Sequence, residues 1–566
     1  MSAYALTLLL GAAAVRAEPA PEHGAPAVSL QGDVMAVGVR EPPTSPPPAE
    51  PADLPARPPG ERSCRRKPPA AGLPPPGAMA LVGDRKQYEP LLHFPFGEKC
   101  LLVEGRVDAA LTVDGRSSVE LDRYGNRLDP RAAYGPRLRV GLRFDSGAEL
   151  APLNLAAQYE HDLLTGFAGA DIPWGGQGYP RDDGLHQELR QAFVRAAAGT
   201  IAQLTAGWNT SHWGMGLLAN DGDHGWEPGS ARFADPRGGD RMLRFALSTG
   251  PHPRAGLVAL AGGDVLDPDL LSDDDVLLGG DHGHQVVAAL LAGAGQPWAV
   301  GVYAVSRHQE APDGSPTDVW AVDLTGRTTI AARGLRLGLE TEAALVTGTT
   351  ELAPSVEHPE HAVLQLGWAA RANLDLGWFG TALDFLYASG DQNLDDAAHN
   401  AFKTDPNYEL GLLLFSQVLA AQSARAAFTA GDPSLVGVPA EDLDRVPTRQ
   451  SASNTVALFP RLRVRPLAGL EAYGGPLFAF AVVPPVDPLS TRLAGGEVRN
   501  ALGGDPGRYL GTELDLGVRY RVSLGGSDVT LGAECGALRP GSALRRTDGT
   551  EMPAVYGGRL MIGGRL

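Results

Sequence analysis

The stretch RLRVGLRF, Arg137 to Phe144, sets Arg137, Arg139, Gly141 and Arg143 against Leu138, Val140, Leu142 and Phe144. A strand sends successive side chains to opposite faces, so this segment describes a ribbon that is greasy on one side and cationic on the other. A single such ribbon fits any half-buried sheet. What decides the fold is whether the pattern recurs and how the ribbons are joined.

It recurs along most of the chain. NLAAQYEHD sets Leu155, Ala157 and Tyr159 against Asn154, Gln158 and Glu160. VLQLGWAARANLD sets Leu364, Leu366 and Trp368 against Gln365, Arg371 and Asp375 on either side of the same period. ELDLGVRYRVSL opposes Leu514, Leu516, Val518, Tyr520 and Val522 to Glu513, Asp515, Arg519 and Arg521. FPRLRVRP carries Arg461, Arg463 and Arg465, and the closing YGGRLMIGGRL places Tyr556, Leu560 and Ile562 opposite Arg559 and Arg565. About eighteen strands are expected between 101–112 and 555–566.

The connections alternate in length. Turns such as DSG, AAGT, GPHP, AGQP, GWFG and LGGS are tiny, whereas every second connection is long, the longest spanning 390–450. One rim therefore carries tight turns and the other carries loops. These features predict an all-β fold, a transmembrane antiparallel up-and-down β-barrel with long outer loops and short periplasmic turns. Lipid offers no hydrogen bonds to a backbone, so a sheet crosses it only by closing on itself. The competing fold, a large soluble sandwich, explains neither the inward arginines nor the alternating loops.

The remaining chain reads as follows. Residues 1–17 resemble a secretory signal peptide, although the segment before Ala5 lacks a lysine or arginine. Residues 18–96, with EPPTSPPPAEPADLPARPPG, are expected to be a Pro-rich, largely disordered periplasmic linker, and 97–566 to be the barrel with a loop insertion at 390–450. No later stretch is long and apolar enough for a helical span. The formal charge of -18 argues against nucleic acid as a partner. Of the three cysteines, Cys64 and Cys100 could pair in an oxidising compartment or remain thiols.

Side-chain parity places arginine ahead of other charges on the inner face. The expected lumen-lining set is Arg137, Arg139, Arg143, Arg244, Arg336, Arg371, Arg461, Arg463, Arg465, Arg519 and Arg521, joined by Arg106, Arg559 and Arg565. Glu104, Asp108, Glu160, Glu340, Asp375, Asp384, Glu513 and Asp515 share that face. Permanently charged guanidiniums in a pore favour anions. The alternative is that they pair with those acids and brace the wall. Within the long insertion, Asn407 to Phe428 reads as a helix that either enters the pore or caps it from outside.

No catalytic chemistry is expected: neither G-x-S-x-G nor H-E-x-x-H occurs. His358 and His361 in EHPEH, and His212, His224, His282 and His284 in or beside outer loops, are expected to be solvated rather than metal ligands, and no cofactor is expected. The acidic loops hold Asp267, Asp269, Asp273, Asp274 and Asp275, and Asn220, Asp221 and Asp223. These could bind calcium, but solvated charge is the simpler expectation.

Several runs resemble a known family. YASGD at Tyr387–Asp391 and AGWNTSHWG at Ala206–Gly214 resemble alginate-export-type outer-membrane porins. SHWGMGLLANDGD and FADPRGGDRMLRF are similar to outer-membrane barrel proteins of myxobacteria. The first resemblance implies an eighteen-stranded monomeric barrel that passes an acidic polysaccharide along an arginine-rich lumen, a role falling here on Arg137, Arg139, Arg143, Arg461, Arg463 and Arg465. Scarce lysine and a final Leu566 depart from that family, so alginate itself is not implied. The function expected is a porin for anionic or polar solutes in the bacterial outer membrane; the alternative is a plugged structural or adhesive barrel. Expected partners are outer-membrane lipid and lipopolysaccharide, the barrel assembly machinery and the solute.

Overall fold

The computed structural model describes residues 89–96 and 99–565, apart from 129, 147–149, 151, 166–184, 224–228, 235–238, 267–281, 312–313, 352–357, 392, 394–395, 431–447, 449 and 525–526. The expected signal peptide, most of the expected linker, Cys64 and the Asp267–Asp275 run lie outside the described residues.

The two-residue period does build one sheet. It holds twenty strands, of which Glu89–Phe96 and the two-residue Ala398–His399 are accessory, and the other eighteen run from Lys99–Arg116 to Val555–Arg565. Each pairs antiparallel with its neighbours, and the last closes on the first through Asp108 opposite Arg565 to Arg116 opposite Gly557. Closure leaves no unpaired edge around the wall, the condition for a sheet to stand in hydrocarbon.

The face pattern follows the expected register. Leu142, Tyr159, Val194, Phe245, Trp320, Leu462 and Leu516 point outward and are exposed, whereas Arg139, Glu160, Arg244, Asp323, Glu342, Asp384 and Glu513 point inward and are buried. Val194, Phe245 and Trp320 each expose 60% of their surface, which water would penalise and acyl chains would not. Exposed aromatics flank this band: Trp298, Trp378 and Tyr520 near the tight-turn rim, Tyr134, Trp320, Phe480 and Tyr556 near the long-loop rim. The chain is thus an outer-membrane barrel, and no helix among the described residues is long and apolar enough to cross a membrane itself.

Tight turns hold the register at one rim. At Leu376–Trp378 the chain reverses through Gly377 at φ +85°, a conformation that disfavours a side chain, and the Gly377 amide donates to Asp375 at 2.7 Å.

One boundary differs from expectation. Glu89–Phe96, EPLLHFPF, belongs to the segment expected as linker, yet it pairs with the start of Lys99–Arg116, from Glu89 opposite Gly105 to Phe96 opposite Lys99. It lies along the part of that strand beyond the end of Val555–Arg565, so the seam between first and last strands stays paired. Pro90 and Pro95 are tolerated because this accessory strand has an edge where a missing N–H costs nothing.

Candidate functional site in the lumen

Eighteen strands enclose more space than wall side chains can fill, so the lumen is either wet or occupied. Here it is occupied by two chain segments. The first is made of the described residues 211–223, 229–234 and 239–240 of the connection between the strands Ala202–Thr210 and Arg241–His252. The second is the stretch 412–419 of the long insertion, which ends in a π-helical turn Leu414–Leu419 that continues into an α-helix Ala420–Ala430. Trp213, Leu217, Leu414 and Val418 are completely buried. The two alternatives are divided: the turn Leu414–Leu419 enters the pore mouth, whereas the α-helix Ala420–Ala430 caps it among the outer loops, with Gln422 donating to the Glu120 carbonyl at 3.0 Å and Arg425 to Asp122 at 2.9 Å. Arg116 on the first barrel strand reaches Gln417 at 2.8 Å, and Glu513 accepts the amides of Leu412, Leu413 and Leu414 at 2.6–2.8 Å. That cradle also explains why the helical turns begin at Leu414 rather than Asn407.

The connection 211–240 overturns another expectation. It reads as an outer loop, but its described residues touch several walls of the barrel. Trp213 stacks on Tyr303 at 5.6 Å between centroids, and its ring sits so close to Gly301 that a Cβ there would lie 2.7 Å from it. Phe233 packs on Phe459 at 5.9 Å and on Tyr473 at 5.0 Å. Asp221 and Asp223, expected as solvated or calcium-binding, are instead drawn in by arginine. Asp223 pairs with Arg139 and lies 3.6 Å from Arg190, whose guanidinium also donates to the Asp221 carbonyl. His212, expected outside, is buried 3.8 Å from Asp221. Among the described residues no group of three His, Cys, Asp or Glu is arranged to hold a metal ion.

Most of the expected lumen arginines brace the wall and this loop. Arg139 forms a two-pronged pair with Asp162 at 2.6 and 2.7 Å. Arg244 does the same with Asp264, at 2.7 Å for both bonds. Arg371 pairs with Asp384 at 2.7 Å, and Arg461 donates both to Asp384 and, at 2.9 Å, to the Ala231 carbonyl while lying over the Phe459 ring. Arg463 bonds the Gly229 carbonyl at 3.0 Å and Asp375 at 2.8 Å; Arg465 bonds Glu471 at 2.9 Å. Arg519 holds Glu534 at 2.6 Å, the Tyr473 hydroxyl at 2.8 Å and the Ala234 carbonyl at 3.3 Å. Four strand arginines, Arg190, Arg461, Arg463 and Arg519, thus cap carbonyls of one inserted loop.

The others are peripheral. Arg143 pairs with Asp145 at 3.2 Å, Arg521 with Asp528 at the tight-turn rim, and Arg336 is exposed at that rim beside Arg333 and Asp375. Arg137 is half-buried on the inner face near the opposite rim.

No family model and no curated protein matches the chain. Among solved structures it is similar to Acinetobacter baumannii OccAB1, at 10% identity over 82% of this chain and 96% of that one, with a TM-score of 0.49. It is also similar to Pseudomonas aeruginosa OccK9 (OpdG), at 13% identity, 82% and 98% coverage and a TM-score of 0.47. Pseudomonas aeruginosa OpdK with vanillate gives 11% identity, 82% and 98% coverage and 0.46. These are Occ and Opd structures rather than the alginate-export type whose motifs the sequence resembles, and the barrel described above rests on its own strand pairing.

Sequence reading missed two arginines, the buried strand residue Arg190 described above and Arg232. Arg232 lies in the inserted loop beside Phe233 and is partly exposed inside the barrel. Asp384 is within electrostatic reach of three guanidiniums, those of Arg371, Arg461 and Arg232. Arg371 and Arg461 take both oxygens of Asp384, and among the described residues no carboxylate lies at ion-pair distance from Arg232. Burial first, and then the nearby Arg371 charge, push Arg232 down to about 10, where it is still a cation at neutral pH. A signal was present in the sequence: Trp213, Met215, Leu217, Leu218 and Phe233 are too apolar for a loop that stays in water.

Proposed function

We propose that the chain is an outer-membrane channel in which small anionic or polar solutes pass a constriction edged by Arg232. The observation that carries this reading is the charge count at that point, where Arg232, Arg371 and Arg461 face Asp384 and Glu340. The surplus cation belongs to the loop, not to the strands. A fixed positive charge in a narrow passage lowers the barrier for anions and raises it for cations. The broad arginine ladder expected from parity is mostly neutralised, so selectivity rests on few residues. The monomeric state, the periplasmic placement of the linker and contacts with lipopolysaccharide or the assembly machinery belong to the same proposal. So does an acidic saccharide as cargo, which the motif resemblance alone suggests.

In planar bilayers, Arg232→Gln is expected to cut the anion-to-cation permeability ratio about fivefold, the effect of roughly 1 kcal/mol from one charge at close range in a wet pore. Reversal potentials in a salt gradient measure it. An unchanged ratio would remove Arg232 from the pathway.

The packing of Trp213, Leu217, Leu414 and Val418 inside the barrel favours a second reading, a closed barrel with a structural or adhesive role. Conductance at the noise level in the native protein, appearing only when residues 400–450 are deleted, would decide for it.

A further inference from the structure

Each of the two segments in the lumen is fastened in the same way at one point. On the strand Leu335–Thr350, Glu342 is completely buried and accepts the main-chain amides of Met215 and, at 3.0 Å, Leu217. Asp323 on the neighbouring strand Pro316–Ala332 accepts the indole N–H of Trp213 at 3.2 Å. On the strand Tyr509–Leu524, Glu513 is also completely buried, and it accepts three consecutive amides, those of Leu412, Leu413 and Leu414. In both places a wall carboxylate gathers amides at a turn of the inserted chain. These amides have no main-chain acceptor among the described residues, as at the first turn of any helix.

We propose that Glu342 and Glu513 are positioning residues, two independent carboxylate latches that hold the lumen segments in place and thereby set the aperture. The inference does not depend on what crosses the lumen. A carboxylate offers only acceptor lone pairs and binds several N–H groups at once through charge-assisted bonds. An amide of the same shape would turn an NH2 group toward at least one of those donors. The packing around each segment would remain, but its main-chain anchor would not, so the segment would open locally while the closed wall stayed intact.

The test is site-selective. In a chain whose three cysteines are serines (C64S, C100S, C535S), a reporter is placed on each segment, Met215→Cys on the first and Val418→Cys on the second. A membrane-impermeant maleimide is added to the folded protein in liposomes. Both reporters occupy buried positions and should react slowly. Glu342→Gln is expected to speed labelling at 215 by about tenfold, the equivalent of one lost charge-assisted hydrogen bond, and to leave 418 unchanged; Glu513→Gln should do the converse. Single-channel conductance should rise in both. Unchanged labelling, or equal acceleration at both reporters from either substitution, would overturn the proposal, the second because it reports general loosening. If a glutamine variant does not assemble, hydrogen exchange of the Met215, Leu217 and Leu412–Leu414 amides in the native protein decides instead. Strong protection is expected; exchange as fast as in the exposed turns would overturn the latch.

Discussion

Asp384→Ala is expected to cost about 3–5 kcal/mol of folding stability, the range for removing one partner from a buried ion pair. Asp384 is 3% exposed and takes Arg371 on one oxygen and Arg461 on the other. Without it two guanidiniums remain in the interior beside Arg232, which has no carboxylate at ion-pair distance among the described residues. The loop would respond too, because Arg461 also holds the Ala231 carbonyl. Denaturant titration of the barrel refolded into micelles measures the loss. The same variant should make any surviving conductance more anion-selective, since the constriction loses a negative charge. Asp528→Ala is the control: its pair with Arg521 is exposed at the tight-turn rim, and no measurable loss is expected. A loss at Asp384 no greater than at Asp528 would mean that the lumen is far wetter than its burial indicates.

Leu516→Arg should be nearly as damaging, for the opposite reason. Leu516 is 52% exposed at the middle of the strand Tyr509–Leu524, between the two aromatic girdles. If its surroundings are acyl chains, a guanidinium there costs about 2–4 kcal/mol. If they were water, exchanging an exposed leucine for arginine would be tolerated or would even improve solubility. The sign and size therefore report the solvent outside the wall. Refolding into vesicles with the wild-type chain alongside measures it, and equal stability of the two would place Leu516 in water.

Much of the wall was legible in the sequence because it follows from local rules. The period of two fixes which residues share a face, and a one-residue slip would turn every arginine of RLRVGLRF into the lipid, so the register is strongly determined. The alternation of short and long connections fixed the two rims. The lumen was less legible because its contents depend on contacts distant in sequence. Parity says that Arg461 points inward, but not that Asp384 and the Ala231 carbonyl will meet it there. ANDGDHG has the composition of a solvated loop, and nothing local to it announces that Arg139 and Arg190 will bury Asp221 and Asp223. The two prolines of EPLLHFPF made a paired strand look like linker, since a strand edge tolerates them in a way that composition does not show. Arg232 carries no periodic signature, sitting in a loop whose direction is set by Trp213 and Phe233.

The central claim is that the aliphatic stripe faces lipid around a closed wall while the guanidinium stripe faces the lumen. The most direct measurement is a nitroxide scan along Thr455–Leu467 in liposomes, reading collision with dissolved oxygen, which concentrates in the hydrocarbon. The account predicts a two-residue oscillation with maxima at Leu458, Leu462 and Val464 and minima at Phe459, Arg461 and Arg463. A flat profile, or maxima at the arginine positions, would contradict it.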